Sequence, residues 1–362
     1  MKRFGYIFTV IVIFMVLLVG CGPRNAPQPA PAQSTPAATP SPTPAAGNVQ
    51  MGGMAQYHIY TANEDDSTVS VIDMASMQAI QTIPVGKSPH NVQITPDGKF
   101  VYVTEGGNGS ISAIDTTTYA LAKTIKVGEG PNHIVFSPDS SKAYVTVAEM
   151  AESAGMEMPS DKKPGNVYVV DLQGGSVITK IPVGVMPHGL RLASDGMLFV
   201  ADNESDQISV IDTATNKVSN IIKVGSKPVQ VAITPDNKYV FASLSGEDKV
   251  AVIDMNTLAV TKTIPVGKNP IQLYATPDSK FVYVANNGSD DVSVIDTTSM
   301  SVTATVLAGD KAHGVAISKD GTVFVTNTGA NNVTVIDSSN NSVVGTVPVG
   351  KGPNGVTVME ME

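Results

Sequence analysis

Residues 281–297 read FVYVANNGSDDVSVIDT, two short apolar runs separated by a turn rich in glycine and aspartate. The second run alternates apolar and polar residues, as does a β-strand that buries one face. Similar runs lie before it, at 272–275, and after it, at 302–306. Thr276-Pro277-Asp278-Ser279 has the residues of a type I turn between the first two runs. This stretch therefore predicts a unit of four short strands.

The unit occurs seven times. The aspartate that ends its third strand recurs after 42, 56, 41, 42, 42 and 41 residues, and a glycine after the fourth strand keeps the same spacing. The second strand has an aromatic residue in every copy: Tyr60, Tyr102, Tyr144, Phe199, Phe241, Tyr283 and Phe324. Four strands in about 42 residues are typical of propeller blades. The sequence predicts an all-β, seven-bladed β-propeller over residues 57–358, with a tail at 359–362.

The two ends of this region are expected to complete one blade. Tyr57 begins a second strand, whereas Gly355 to Met359 matches a first strand. The last blade should therefore combine three N-terminal strands with one C-terminal strand, which removes the open sheet edges. We call the face that carries the loops between strands two and three, and between blades, the top face. Tyr57 then begins at the bottom face, so the top is expected to face away from a membrane anchor.

The first 56 residues have a different composition. A basic start and an apolar run to Val19 precede Leu-Val-Gly-Cys21, which predicts a lipoprotein signal peptide at 1–20 and a lipid on Cys21. Residues 21–56 are rich in Pro, Ala, Ser and Thr and predict an extended tether. The expected location is extracytoplasmic, anchored to the membrane, in a periplasm or at the cell surface. An uncleaved transmembrane anchor is the alternative.

Charge and loop composition limit the partners. The formal net charge is −9 and no basic patch stands out, so nucleic acid is a poor partner. Acidic loops such as Glu64-Asp65-Asp66 and Ser289-Asp290-Asp291 map to the top face, as does the insertion at 148–166. They predict a polar rim that recognises an envelope protein, polymer or small ligand. Clustered carboxylates also suit calcium, although no EF-hand spacing is present. We expect a monomer.

Four histidines lie at the start of predicted inner strands: His90, His133, His188 and His313. Inner strands line the central channel, so these histidines are expected to ring its mouth. Neutral imidazole binds zinc or copper, and thioether sulfur favours Cu(I). The insertion adds Met150, Met156 and Met158. Together they predict a copper or other transition-metal site. The alternative is a set of polar rim residues hydrogen-bonded to neighbouring carbonyl groups.

The repeat also resembles a known family. Val-Tyr-Val-Ala-Asn, Val-Ser-Val-Ile-Asp-Thr, Thr-Ile-Pro-Val-Gly and Thr-Pro-Asp-Gly-Lys are similar to the repeats of the YVTN propellers, which include YncE-like periplasmic proteins and surface-layer propellers. The resemblance covers residues 57–358. It implies the fold and little about chemistry, because propellers host many unrelated functions.

Three functions follow as hypotheses. The tether and variable top loops favour a non-enzymatic binding scaffold, with the metal-binding protein as the second hypothesis. The third is a lactonase or lyase, as some seven-bladed propellers are, with Glu105 as a base beside His90 or His133; no nucleophile elbow or phosphate loop supports it. Further candidates for ligand binding are Asp202, Asn286 and Asn327.

Overall fold

The computed structural model describes residues 57–148 and 163–361. They form 28 strands in seven antiparallel sheets of four, with one 3₁₀-helix at Asn203–Ser205. The predicted all-β, seven-bladed propeller is confirmed. Cys21 and the three methionines of the insertion lie outside the described residues. Within the described ranges, no helix is long and apolar enough to cross a membrane.

Each blade runs from an inner to an outer strand, and strands are numbered in chain order. The inner strands are β4 (Pro89–Ile94), β8 (Pro131–Phe136), β12 (Pro187–Leu192), β16 (Pro228–Ile233), β20 (Pro270–Ala275), β24 (Ala312–Ile317) and β28 (Pro353–Glu360). The second strands are β1 (Tyr57–Asn63), β5 (Phe100–Glu105), β9 (Lys142–Val147), β13 (Met197–Asp202), β17 (Tyr239–Leu244), β21 (Phe281–Asn286) and β25 (Thr322–Asn327). The third strands are β2 (Thr68–Asp73), β6 (Ser110–Asp115), β10 (Pro164–Asp171), β14 (Gln207–Asp212), β18 (Lys249–Asp254), β22 (Asp291–Asp296) and β26 (Asn332–Asp337). The outer strands are β3 (Gln78–Pro84), β7 (Leu121–Lys126), β11 (Ser176–Val185), β15 (Lys217–Lys223), β19 (Ala259–Pro265), β23 (Ser301–Leu307) and β27 (Ser342–Pro348).

The hydrophobic core lies between blades. Seven apolar clusters each join two neighbouring sheets, as where Tyr283 and Val294 pack with Val315 and Val325. Second strands are covered on both faces and are buried almost throughout, whereas outer strands such as β23 are largely exposed. This arrangement explains why the aromatic position is filled in every unit, because its side chain fills the space between two sheets.

The ring closes as the sequence predicts. Strand β28 pairs antiparallel with β1, from Tyr57 opposite Glu360 to Asn63 opposite Pro353. The sheet order is β28-β1-β2-β3, three N-terminal strands and one C-terminal strand. The edge that β1 would otherwise expose is therefore paired.

Several acidic residues of the top loops form hydrogen bonds between neighbouring blades. Asp206, Asp248, Asp290 and Asn331 occupy equivalent left-handed positions with φ between 54° and 60°. Each side chain accepts a hydrogen bond from a backbone N–H 21 residues later, at 2.8–2.9 Å, in the loop that enters the next blade. Aspartate and asparagine tolerate this backbone conformation better than most residues. Part of the acidic pattern is thus explained by contacts between blades.

Candidate functional site

The inner strands start at the top of the channel, and neighbouring inner strands contact one another around the whole ring. Their second residues are His90, Asn132, His188, Val229, Ile271, His313 and Asn354. Their third residues are Asn91, His133, Gly189, Gln230, Gln272, Gly314 and Gly355. Three adjacent blades therefore contribute His90, His133 and His188.

These three histidines converge. One ring nitrogen from each of His90, His133 and His188 lies within 4.8 Å of the other two. The ring centroids are 5.3 Å apart for His90 and His133, 5.2 Å for His90 and His188, and 4.8 Å for His133 and His188. Among the described residues, no carboxylate or thiol joins this group. We call it the histidine cluster.

A β-bulge explains why residues at different repeat positions meet. In β8, Pro131 pairs with Val147 and Ile134 with Val145, so the inner strand has one more residue than its partner between these pairs. The same irregularity occurs in every inner strand. A bulge breaks the strict alternation of side chains, so a third residue such as His133 reaches the same group as the second residues His90 and His188.

A hydroxyl group from the second strand holds each bulge in four blades. Thr146 Oγ1 accepts the N–H of His133 at 3.0 Å and donates to the carbonyl oxygen of His188 in the next blade at 2.6 Å. Thr104, Ser243 and Thr326 make the equivalent pair of bonds. We call this arrangement the hydroxyl clip. Thr146 therefore fixes the backbone of two members of the histidine cluster.

Burial keeps the cluster neutral. Desolvation lowers the pKa of His90 and of His188 to about 3, helped in His90 by His313 and in His188 by His90. The pKa of His133, which has no exposed surface, lies well below its ordinary value for the same reason, with His188 and His90 adding to the effect. At neutral pH each ring therefore carries a lone pair on one nitrogen.

The hydrogen bonds of the rings are incomplete. Nδ1 of His188 lies 3.1 Å from the carbonyl oxygen of Val229, so it carries the proton and leaves Nε2 as a donor atom for a metal. Nε2 of His133 is buried without a hydrogen-bond partner within the described ranges, and the His90 ring has only a weak interaction with the backbone of Asn132. Buried polar atoms are normally paired, and unpaired ones are common at functional sites.

Gln230 determines the tautomer of His133. Its Oε1 accepts the backbone N–H of Val231 at 2.9 Å, and its Nε2 lies 3.2 Å from Nδ1 of His133. In this arrangement the amide donates to Nδ1, and the proton of the ring sits on Nε2. Glycine at 189 makes the contact possible, because a Cβ there would lie 2.1 Å from Oε1 of Gln230. Gln230 was not among the residues predicted from the sequence, because the predicted metal site comprised only histidines and methionines.

His313 lies at the edge of the cluster. Its ring centroid is 6.4 Å from that of His90, and the ring interacts weakly with the backbone of Asn354. Burial lowers its pKa to about 4. It also borders a top-face cavity of about 360 Å³ with Glu64, Asp65 and Lys311. His313 therefore lies next to the histidine cluster as a fourth imidazole that does not converge with the other three.

The other predicted ligand-binding residues lie within their own blades. Glu105 accepts the N–H of Gly86 at 2.8 Å and the hydroxyl of Ser110 at 2.7 Å. Asp202, Asn286 and Asn327 end their second strands in the same way and bond to residues of their third strands. Burial raises the pKa of Asp202. None joins the histidine cluster, and ligand binding by these residues stays a prediction.

Polar side chains at this position explain the glycine in five of the seven repeats, whereas Gly128 packs on Tyr168 and Gly225 on Glu247 and Leu244. A Cβ at Gly86 would lie 2.4 Å from the carboxyl carbon of Glu105, and one at Gly309 would lie 2.8 Å from the amide carbon of Asn327. In those five repeats the glycine is therefore required by close packing on the polar end of the second strand.

The donor set suits a late transition metal. Three neutral imidazoles favour zinc, copper or nickel over calcium and magnesium, which prefer oxygen ligands. Zinc binds imidazole nitrogen at about 2.0–2.1 Å, so nitrogens sharing one ion lie roughly 3.4 Å apart. Closing the 4.8 Å separation to this value requires ring movements of about 1 Å.

Comparison with known proteins identifies the family and not the chemistry. The curated protein YwhL of Bacillus subtilis, described as uncharacterized, is 45% identical over 51 residues, 14% of this chain and 11% of that protein. A functionally unknown protein from Desulfotomaculum acetoxidans shares the fold with a TM-score of 0.72 at 14% identity, covering 84% of this chain and 99% of that one.

Two further solved structures share the fold. A chain of Kuenenia stuttgartiensis hydrazine synthase has a TM-score of 0.64 at 24% identity, with 74% and 89% coverage of the two chains. Apo AztD of Citrobacter koseri has a TM-score of 0.61 at 16% identity, and the match covers 84% of this chain and 98% of that one. The sequence matches the YNCE-like beta-propeller family over residues 26–361. The chain therefore belongs to the YNCE-like β-propeller family.

Proposed function

We propose that this protein is an extracytoplasmic, lipid-anchored propeller that binds one transition-metal ion, copper or zinc, through His90, His133 and His188. The observation that supports it is the approach of three ring nitrogens, from one buried and two half-buried histidines, to within 4.8 Å of one another. A rim of polar histidines would not require them to converge. Neighbouring carbonyl groups also interact with the rings of His90, His188 and His313, so the convergence of the rings is what supports a metal site over such a rim.

The other two hypotheses gain less support from the geometry. An enzyme of the lactonase or lyase type needs a carboxylate beside the histidines, and Glu105 is already bonded to Gly86 and Ser110. A scaffold would use the top loops, whose aspartates partly serve contacts between blades. The scaffold role and the lipid anchor on Cys21 stay predictions.

Direct titration tests the proposal. The full, untagged, metal-free chain is titrated calorimetrically with Cu(II) and Zn(II), and with Cu(I) under reducing conditions. We expect one ion per chain with a Kd below about 1 μM for at least one of them, equivalent to about 8 kcal/mol of binding free energy. Absence of saturable binding for all three ions would overturn the proposal.

A change at Gln230 should strengthen binding. The amide of Gln230 favours the His133 tautomer with its proton on Nε2. In Gln230→Glu the carboxylate would accept a hydrogen bond from Nδ1–H instead, which leaves the lone pair of Nε2 free for the ion. Because such supporting partners contribute about 10–100-fold in metal affinity, we expect tightening of about tenfold, measured by competition with a chelator.

Gln272→Glu provides the matched control. Gln272 is the third residue of the next inner strand, and its Nε2 has no hydrogen-bond partner within the described structure. Gln272→Glu adds the same negative charge but does not replace the amide that contacts Nδ1 of His133. Equal tightening in both variants would mean that added charge, not the tautomer of His133, is responsible.

Removing the hydroxyl clip should weaken binding. Thr146→Val keeps the shape of the side chain but leaves the His133 N–H and the His188 carbonyl without their partner. We expect a loss of about 1–3 kcal/mol in the free energy of unfolding and about tenfold weaker metal binding. Thr326→Val removes the same clip around Gly314 and Asn354. It should lose similar stability, by urea denaturation, with unchanged metal affinity.

A further inference from the structure

The bottom end of the channel contains a second cavity. It has a volume of about 700 Å³ and is lined by the ends of inner strands and by the turns that follow them. Its walls include the aromatic rings of Tyr57, Phe136 and Tyr274, the amide of Gln93 and the guanidinium of Arg191. Cavities of roughly 300–1,000 Å³ with few polar groups are typical of small-molecule sites.

Arg191 is the exceptional residue of this cavity. It is the fifth residue of β12, and the other six inner strands have Gln93, Val135, Ala232, Tyr274, Ala316 and Thr357 at that position. Its Nη1 donates to the carbonyl oxygen of Leu190 at 3.3 Å. Its guanidinium carbon lies 5.2 Å from the centre of the Tyr274 ring. Burial lowers the pKa of the guanidinium, although arginine stays charged in proteins.

No carboxylate neutralises this charge within residues 57–148 and 163–361. The acidic residues that line the same cavity have other partners: Asp97 pairs with Lys99 at 3.3 Å, and Glu360 pairs with Lys319. A guanidinium has five N–H donors in a planar fork that matches a carboxylate or phosphate. Arg191 is half-buried, so its charge is partly removed from water, which is costly unless an anion pairs with it. The missing counterion is therefore an expected feature of the ligand.

The remaining walls define the rest of that ligand. Ile94, Val135, Leu192 and Ile317 line the cavity with apolar side chains. They offer a surface for hydrocarbon next to the single unpaired cation. We infer that the bottom of the channel binds a small organic anion, whose acidic group pairs with Arg191 and whose apolar body contacts these side chains. This site shares no residue with the proposed metal site, although the charge of Arg191 helps to lower the pKa of His133.

Binding of defined probes tests the inference. The full chain is titrated with benzoate and hexanoate, with their uncharged amides, and with phenyl phosphate, followed by protein-observed NMR. We expect at least one anion to bind with a Kd below about 1 mM, and its uncharged counterpart to bind at least tenfold more weakly. Comparison of benzoate with phenyl phosphate shows which acidic group the site prefers. Failure of all the anions to bind would overturn the inference.

Substitutions locate the binding. Arg191→Gln should weaken the best anion at least tenfold, and Arg191→Lys should weaken it less, because it keeps the charge without the fork. Lys319→Gln removes another cation of the cavity, one already paired with Glu360, and should leave affinity within twofold. Equal affinity in Arg191→Gln and the unchanged protein would overturn the inference.

Stability separates a ligand site from a structural role. If Arg191 only supported the fold, both Arg191→Gln and Arg191→Met would lower the unfolding temperature, and that result would also overturn the inference. We expect Arg191→Met to unfold at the same or a higher temperature, since it removes an unpaired charge. Both variants should bind metal at least as tightly as the unchanged protein, because the Arg191 charge acts on His133, and this retained metal binding distinguishes failure of this site from failure of the metal site.

Discussion

Replacing His90, His133 or His188 singly by alanine is expected to lower the affinity for copper or zinc by about 100-fold or more. Each substitution removes one of three nitrogen donors that lie within 4.8 Å of one another. Residues that only support a ligand contribute 10–100-fold in affinity, so loss of a ligand itself should exceed that range. Calorimetric titration of the three variants measures the effect.

His58→Ala is the matched control. His58 is the one histidine of the chain besides the cluster and His313, and its Nδ1 lies 3.0 Å from the hydroxyl of Tyr119, away from the cluster. Its substitution should leave metal affinity unchanged. His313→Ala should have an intermediate effect if its ring moves in as a fourth ligand. Equal losses in His58→Ala and His133→Ala would contradict the assignment of the cluster.

Metal binding should also stabilise the fold. An ion present at 1,000 times its Kd adds about 4 kcal/mol to the free energy of unfolding, provided that it binds only the folded chain. Denaturation of the unchanged protein with and without the ion measures this gain. In His133→Ala a roughly 100-fold weaker Kd would leave the same ion concentration at about 10 times the Kd, so the gain should fall to about 1.4 kcal/mol or less. Without metal, the same variant tests how far the buried ring itself supports the fold.

Ending the chain before Pro353 is expected to abolish cooperative folding. This deletion removes β28, whose pairing with β1 closes the ring. It exposes the edge of β1 and the cluster that Tyr57, Ile59 and Val356 fill together. Domains are stable by only about 5–15 kcal/mol, and loss of one strand of a closed ring should exceed that margin. Thermal unfolding followed by circular dichroism measures the effect.

A shorter deletion is the control for this experiment. A chain that ends after Glu360 retains the whole of β28 and should unfold at the temperature of the full chain. If the chain that lacks β28 also unfolded cooperatively within a few degrees of that temperature, closure by the two ends would not be what holds the propeller together.

The fold was predictable because three independent markers keep one register. The aromatic residue of the second strand, the aspartate of the third and the glycine after the fourth recur together, and each has a structural cause. Tyr283 fills a core between two sheets. Asp296 accepts the N–H groups of the following turn, from Thr298 and Ser299. Gly267 lies against the side chain of Asn286. Physical requirements repeated seven times leave a clear signal in a single sequence.

The site was predictable only in part. Histidines at the starts of inner strands indicate the channel mouth, yet strict alternation along a strand would separate His133 from His90 and His188. The bulge that brings them together has no marker in the sequence. Thr146 and Gln230 were missed because their role arises between blades, 42 and 97 residues from their histidine partners. Arg191 was not predicted because the sequence does not show that the fifth residues of the inner strands line a cavity.

Anomalous X-ray diffraction from crystals of the metal-loaded protein tests the central claim most directly. Data collected on both sides of the absorption edge of the bound ion locate it without reference to any assumed ligand. We predict one strong peak at the top of the channel, within about 2.0–2.2 Å of a ring nitrogen of each of His90, His133 and His188. A peak elsewhere, or no ordered ion in a crystal grown from protein that retains its metal, would contradict the proposal.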